Sequence, residues 1–387
     1  MTKSPDHISK KQFMEELYRY KRGSVTRRHF LGVTGLGAAT AVLGSAVPGL
    51  RPVPAWAAGD IGDRVVLATW PNYHDTANFD AFTEATGANV QVNVFGSNEE
   101  MLAKLQAGAT GWDVYVPTNY TITTYVSEDL IEPLDASRLP NYDPSAYDPR
   151  YAEAGSVDGK LYAVPKNWGS TGFVANTDQL NGAPTPSTWK EFFDLTMGDL
   201  SGGTIVHDYQ LTTIGNALKY FGYSFNSVDE KELADAEKLL IEAKPHLFAI
   251  SSDIQPSMRS GDATLAMAWS GDGKQLNTDM PEIMYILGKE GGELWSDYYA
   301  IPKGAPHMDA AYALINYLLD PEVNVREVLA HGYPTADAKS TSMLPEELQN
   351  DPILYPAQEL LDALEFGAAV TLTDPNRAEL MARFKSA

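Results

Sequence analysis

Aromatic rings stand close to carboxylate or small polar side chains at four places in this chain: Thr69-Trp70-Pro71-Asn72-Tyr73, Ala268-Trp269-Ser270-Gly271-Asp272, Leu294-Trp295-Ser296-Asp297 and Gly332-Tyr333-Pro334-Thr335. These residue types suit one kind of chemistry. A protonated amine is attracted to the face of an aromatic ring, worth roughly 0.5–2 kcal/mol depending on desolvation. A carboxylate adds a charge-assisted hydrogen bond. Rings and acids brought into one cleft would hold an amine. One such group alone reads as ordinary core or surface packing, so the expectation rests on their joint occurrence.

An export motif precedes them. Ser24-Val25-Thr26-Arg27-Arg28-His29-Phe30-Leu31 is close to the twin-arginine pattern, with Gly32 where Lys is common. A moderately apolar stretch runs to about Leu50, and Ala55-Trp56-Ala57 offers a small-x-small cleavage site. The stretch is interrupted by Gly32, Gly35, Gly37, Gly44 and Pro48, which favours a cleaved signal over a permanent membrane span. Residues 1–57 are therefore expected to be a twin-arginine signal peptide, cut near Ala57, with the twin-arginine export machinery as a partner.

Charge and cysteine usage narrow the classes further. Of the 29 Lys/Arg and 51 Asp/Glu, nine and three lie before residue 58, so the remainder has a net charge near −28. Such a surface repels nucleic acid and anionic lipid. It suits a cationic ligand, although acidity also serves solubility. The chain has no cysteine. That removes disulfides, thiol catalysis, cysteine-ligated zinc and iron–sulfur clusters. It also removes the cysteine a lipoprotein anchor needs, so an exported receptor of this kind is expected in a periplasm.

The elements that would position the aromatic groups alternate. Val65–Trp70 reads as a buried strand, Thr76–Thr86 as a helix stopped by Gly87, and Val90–Phe95 as a period-two strand. Ser97-Asn98-Glu99-Glu100 is a capping box for a helix through Gln106, and Trp112–Val116 is a third strand closed by Pro117. This β-α-β-α-β order builds a parallel sheet covered by helices. Ligands in such sheets sit beyond the carboxyl ends of strands. Trp70 and Tyr73 follow the first strand, and Thr118 and Tyr120 follow the third. A second set follows the Pro-rich segment 133–149. Its strands are expected at 172–176, 204–208, 264–269 and 283–287, with helices at 233–243 and 309–319. Asp208 and the Trp269–Asp272 group fall at strand ends in this set.

The chain from about Val65 to Phe366 resembles the solute-binding receptors of spermidine/putrescine ABC importers. The signatures are Trp70-Pro71-Asn72-Tyr73, Ser97-Asn98-Glu99-Glu100-Met101, Asp113-Val114-Tyr115-Val116-Pro117-Thr118, Gly291-Gly292-Glu293-Leu294-Trp295-Ser296-Asp297, Ala300-Ile301-Pro302 and Gly332-Tyr333-Pro334-Thr335. The resemblance implies an α/β, two-lobed periplasmic-binding-protein fold of type II with a cleft between the lobes. One lobe is expected over 58–168 plus about 298–340, the other over 169–297 plus about 341–387. It implies a polyamine ligand, ABC permease subunits as partners, a monomer, and no cofactor or metal. By position, Trp70, Tyr73, Tyr120, Trp269, Trp295 and Tyr333 would form an aromatic box, with Thr118 as a small hydroxyl. Asp208 and Asp297 would bind amines, and Asp272 resembles an acid of the putrescine receptors. Two departures reduce the acid count: Leu211 stands where a Glu is usual, and Asn72 where spermidine receptors carry an acid. Both lean toward a diamine.

Enzymatic readings find little support. No His-Glu-x-x-His, Gly-x-Ser-x-Gly or Gly-x-x-x-x-Gly-Lys-Ser/Thr pattern occurs. The alternatives are a secreted glycoside-active enzyme using acids such as Asp208 and Asp297, or a ferric-ion receptor using Tyr298-Tyr299.

Overall fold

The computed structural model describes residues 10–22, 24–26, 29–30 and 61–387. Arg27, Arg28 and the stretch from 31 to 60, which carry the export motif and its cleavage site, lie outside the described residues.

The first lobe forms much as the sequence pattern dictates. Strand β1 (Arg64–Thr69) is followed by helix α2 (Thr76–Thr86), after helix α1 (Lys10–Lys21) near the N-terminus. Asp75 caps α2 by accepting from the Ala77 amide, and Gly87 closes it with φ of 81°, a left-handed turn that glycine adopts without Cβ strain. Strand β2 (Asn89–Val94) pairs in parallel with β1. Helix α3 (Asn98–Gln106) starts at Ser97, whose hydroxyl accepts from the Glu100 amide. Glu100 reaches back to the Gly96 amide, one residue earlier than a capping box requires. Strand β3 is only Val114–Tyr115.

Two long strands carry the chain between the lobes. β4 (Ala163–Asn176) is 14 residues long and buried throughout, far longer than the expected strand at 172–176. After it come β5 (Thr204–Val206), α4 (Gln210–Tyr220), β6 (Leu247–Ile250), β7 (Leu265–Trp269), α5 (Ser270–Asp279) and β8 (Ile283–Ile286). The second long strand, β9 (Gly292–Ala300), is likewise fully buried. Then follow α6 (Met308–Leu318), α7 (Pro321–His331), β10 (Leu364–Phe366) and α8 (Pro375–Ser386).

The sheet runs β2-β1-β3-β9-β4-β7-β5-β6, with β8 on β4 and β10 on β9. β9 and β4 lie antiparallel at its centre and belong to both halves. On one side of them Val65, Leu67, Phe82, Val114 and Leu314 make an apolar core. On the other, Phe173, Trp189, Phe192, Leu218, Leu240 and Met267 make a second. A single sheet threaded through two cores at two adjacent strands is a two-lobed molecule with its crossing at β4 and β9.

The chain ends pack on both sides. Phe13, Met14 and Phe30 are buried against Val325, Val328, Leu344, Leu348 and Leu354. Leu380, Met381 and Phe384 of α8 enter the second core. Among the described residues no helix is long and apolar enough to cross a membrane.

Candidate ligand-binding cleft

Successive side chains of a strand point to opposite faces, so Glu293, Trp295 and Asp297 of β9 share one face. Directly opposite them on β4 stand Thr171, Gly169 and Asn167. Trp269 of β7 is opposite Thr171 in turn. This face is the floor of the crossing. It reads Asp297 and Asn167 at the first-lobe end, Trp295 and Gly169 in the middle, then Glu293, Thr171 and Trp269 at the second-lobe end.

Asp297 is buried, and its carboxylate is held by two hydroxyls. Thr118 donates to Oδ1 at 2.7 Å, and the Tyr73 hydroxyl lies 2.7 Å from Oδ2. The same Tyr73 oxygen lies 2.9 Å from Asn167 Oδ1. Asn98 donates to both Thr118 Oγ1 and the Tyr120 hydroxyl at 3.0 Å, which ties Tyr120 into the chain of polar contacts. Burial raises the Asp297 pKa, opposed by these hydroxyls and by the charge of Lys166.

Three rings close over this end. Tyr73 meets Tyr333 edge-on at 5.5 Å between centroids, and Tyr333 meets Trp295 edge-on at 5.3 Å. The rings come this close because glycines lie beneath them. A Cβ on Gly169 would sit 2.3 Å from the Trp295 ring, and one on Gly271 would sit 2.5 Å from the Tyr333 ring.

A buried ammonium is already present beside Asp297. The register of β9 against β4 slips after Asp297: Asn167 faces Asp297 but Pro165 faces Tyr298, so Lys166 is the extra residue of a bulge. The bulge turns Lys166 inward. Its side chain is 2% exposed and its Nζ sits 3.9 Å from the centroid of Tyr73. Among the described residues Nζ has no hydrogen-bond partner. Burial lowers its pKa, opposed by the charges of Glu327 and Asp297. Glu327 is itself held by His74 Nδ1 at 2.7 Å and Asn78 Nδ2 at 2.6 Å.

The second-lobe end is built differently. Glu293 is buried, and its Oε2 accepts from Thr171 at 2.6 Å and from Thr212 at 3.3 Å. Burial raises its pKa to about 7 against those two hydrogen bonds. Trp269 is half-buried, and its Nε1 donates to the Tyr209 hydroxyl at 3.1 Å.

The structure therefore joins Tyr73, Thr118, Trp295, Asp297 and Tyr333 by direct contact, adds Tyr120 through Asn98, and sets Trp269 on the same floor. Asp272, in the first turn of α5, accepts from Gln255 at 2.7 Å, and its charge acts on Tyr333. Trp70 packs on Phe95 at 4.7 Å within the first lobe. Asp208 stays apart from the joined group: it is exposed and accepts from Ser252. β5 ends at Val206, two residues short of the expected strand, so Asp208 falls on the turn after it. Sequence reasoning missed Glu293, Lys166, Asn98 and Asn167 as site residues. Period-two reading of β9 from Asp297 back through Trp295 points to Glu293. Nothing in the sequence announces the bulge that aims Lys166.

Asp208, exposed and bonded to Ser252, lies outside the cluster that holds Asp297. Tyr298 donates to the Tyr151 carbonyl at 2.9 Å, and neighbouring Tyr299 points to the other face of β9, so the two do not converge on an ion.

Two lobes joined by crossing strands, with a buried polar and aromatic floor at the crossing, define a solute-binding receptor of the type II periplasmic-binding-protein fold. Residues 77–356 match the family described as bacterial extracellular solute-binding protein, and the chain belongs to that family. It is 30% identical over 308 residues to the putrescine-binding periplasmic protein SpuD of Pseudomonas aeruginosa, covering 76% of this chain and 84% of that one. It is 31% identical over 305 residues to the spermidine/putrescine-binding periplasmic protein of Escherichia coli, covering 78% and 86%. Among solved structures, a putative spermidine/putrescine ABC transporter protein from Listeria monocytogenes superposes with a TM-score of 0.76 at 29% identity, covering 84% of this chain and 99% of that one. The Pseudomonas aeruginosa and Escherichia coli relatives are both named as binding proteins.

Proposed function

We propose that this chain is an exported receptor that captures a polyamine between its lobes and delivers it to the permease of an ABC importer. The observation that carries this reading is Asp297: a buried carboxylate, fixed by Thr118 and Tyr73, beneath the rings of Tyr73, Tyr333 and Trp295. An ammonium at that point meets a desolvated charge and aromatic faces together. The similarity to putrescine- and spermidine-binding proteins supports the same ligand class. Because Asp297 and Trp295 are 4% and 6% exposed, a ligand reaches them only when the lobes part at β4 and β9, a hinge motion.

The finer reading is a preference for a diamine such as putrescine, action as a monomer in a periplasm, and export by the twin-arginine route with cleavage near Ala57. The ordered arginine pair, apolar stretch and Ala-x-Ala site support the route. Leu211, buried in an apolar cluster that joins α4 to Tyr120 and Tyr115 of the first lobe, leaves α4 without the acid a longer polyamine would use.

Calorimetry of the purified protein with putrescine, cadaverine, spermidine and spermine tests the ligand class, with oligosaccharides and ferric salts as controls. Putrescine is expected to bind most tightly. Tighter binding of spermidine sinks the diamine preference alone, and no binding of any polyamine sinks the receptor assignment. For the route, Arg27→Lys with Arg28→Lys is expected to block export, and normal export of that double variant overturns it.

A further inference from the structure

Glu293 has the features of a site waiting for a cation. It lies on the cleft floor, two residues from Trp295 and four from Asp297, on the same face of β9. It is 2% exposed. Both of its hydroxyl donors, Thr171 and Thr212, bond to Oε2. A carboxylate has about four acceptor positions over its two oxygens, so Oε1 retains acceptor capacity. Among the described residues no Lys or Arg forms an ion pair with it. Arg377 is nearby, but its guanidinium donates to the carbonyls of Phe225, Ser227 and Leu211. An ionised carboxylate removed from water without a cation is costly.

The geometry suits a ligand with charges at both ends. At about 3.3 Å per residue, the Cα atoms of Glu293 and Asp297 are roughly 13 Å apart, and both residues lie on the strand face that carries Trp295 between them. A short diamine lying across the indole places one ammonium at each acid and its methylenes on the ring between them. Thr212 comes from the first turn of α4, where Leu211 is apolar and buried. The acid at this end of the cleft comes from the strand rather than from the helix.

Resting on the polyamine reading above, we propose that Glu293 is a further ammonium-binding carboxylate of the cleft, facing Asp297 across Trp295, and that the exposed Asp208 does not fill this role. The bland alternative is a neutral glutamic acid serving only the hinge. In that case Glu293→Gln, which imitates the neutral acid, leaves binding unchanged.

The test is calorimetry of the full chain with putrescine, cadaverine and the monoamine n-butylamine. Glu293→Gln is expected to weaken putrescine by roughly 30-fold or more while changing n-butylamine by less than about threefold. Asp208→Asn is expected to change putrescine by less than about threefold. Glu293→Asp keeps the charge and withdraws it by one methylene, so it is expected to shift preference from putrescine toward cadaverine, a change that loss of hinge packing does not produce. Equal putrescine binding by Glu293→Gln and the unmodified chain overturns the proposal while leaving the receptor reading intact. If Glu293→Gln does not fold, Glu293→Asp decides: an unchanged order of the two diamines overturns it. An unmodified chain that binds no amine overturns both readings.

Discussion

The two ends of the cleft present the same chemical group in different electrical circumstances. At the first-lobe end, Asp297 has one hydroxyl on each oxygen and an internal ammonium, Lys166, within electrostatic reach. At the second-lobe end, Glu293 has both hydroxyls on one oxygen and no ion pair among the described residues, and the Arg377 charge that acts on it sits on a guanidinium already bonded to backbone carbonyls. Asp297 is held at both oxygens before any ligand arrives. Glu293 is held at one oxygen only. One end is thus built to orient an amine, and the other to gain from its charge.

The largest effect expected from breaking this comparison is at the oriented end. Asp297→Asn should weaken putrescine and spermidine alike by roughly 2–5 kcal/mol, since it removes the partner of a desolvated charge. Calorimetry showing unchanged affinity would displace the site from this cleft. Next comes the pH response of the other end. Burial places the Glu293 pKa at about 7 in the folded chain, against about 4.3 when unfolded. The folded state then holds the extra proton between those values. Its contribution to stability is present below the unfolded pKa and is lost as pH rises from there through about 7, by up to roughly 4 kcal/mol. Unfolding curves of the unmodified chain and Glu293→Gln, compared from pH 4 to 8 without ligand, should diverge by that slope. Parallel curves would show that Glu293 titrates normally.

A smaller effect sharpens the contrast from the side of Lys166. Its ammonium opposes an incoming amine at Asp297, so Lys166→Met should tighten putrescine by roughly tenfold. Weaker binding instead would mean that Lys166 orients Asp297 rather than competing for it. The smallest effect belongs to the ring between the two acids. Trp295→Ala should reduce the affinity of every polyamine by a similar 0.5–2 kcal/mol or so, because all share the cation and methylene contacts. Loss that depends strongly on ligand length would tie the indole to one end only.

Part of this cluster was legible before the fold was known. Tyr73 and Thr118 follow strands read from their period, whereas Trp295, Asp297 and Tyr333 came from the resemblance to polyamine receptors, since no strand was expected over 292–300. Helix α2, with Asp75 before it and Gly87 after it, matches its expected boundaries. What was not legible depends on long-range pairing. β4 was visible only over its last five residues, because a strand buried on both faces lacks the alternation that marks a half-buried one. Lys166 depends on a one-residue slip between β4 and β9 that only the pairing creates. Asp208 depends on where β5 stops, and β5 is too short for its ending to be fixed by sequence period.

The helix Lys10–Lys21 has a consequence for the order of assembly. Its apolar residues Phe13 and Met14 rest on Val325, Val328, Leu344, Leu348 and Leu354, partners made roughly three hundred residues after it. During synthesis this helix emerges among the first segments, yet its seat does not exist until most of the chain has left the ribosome. Contacts of such sequence separation form late, because the loop they close must first be ordered. In a chain cut near Ala57, as proposed above, this segment is absent, so its docking belongs to the precursor and follows the folding of residues 325–354.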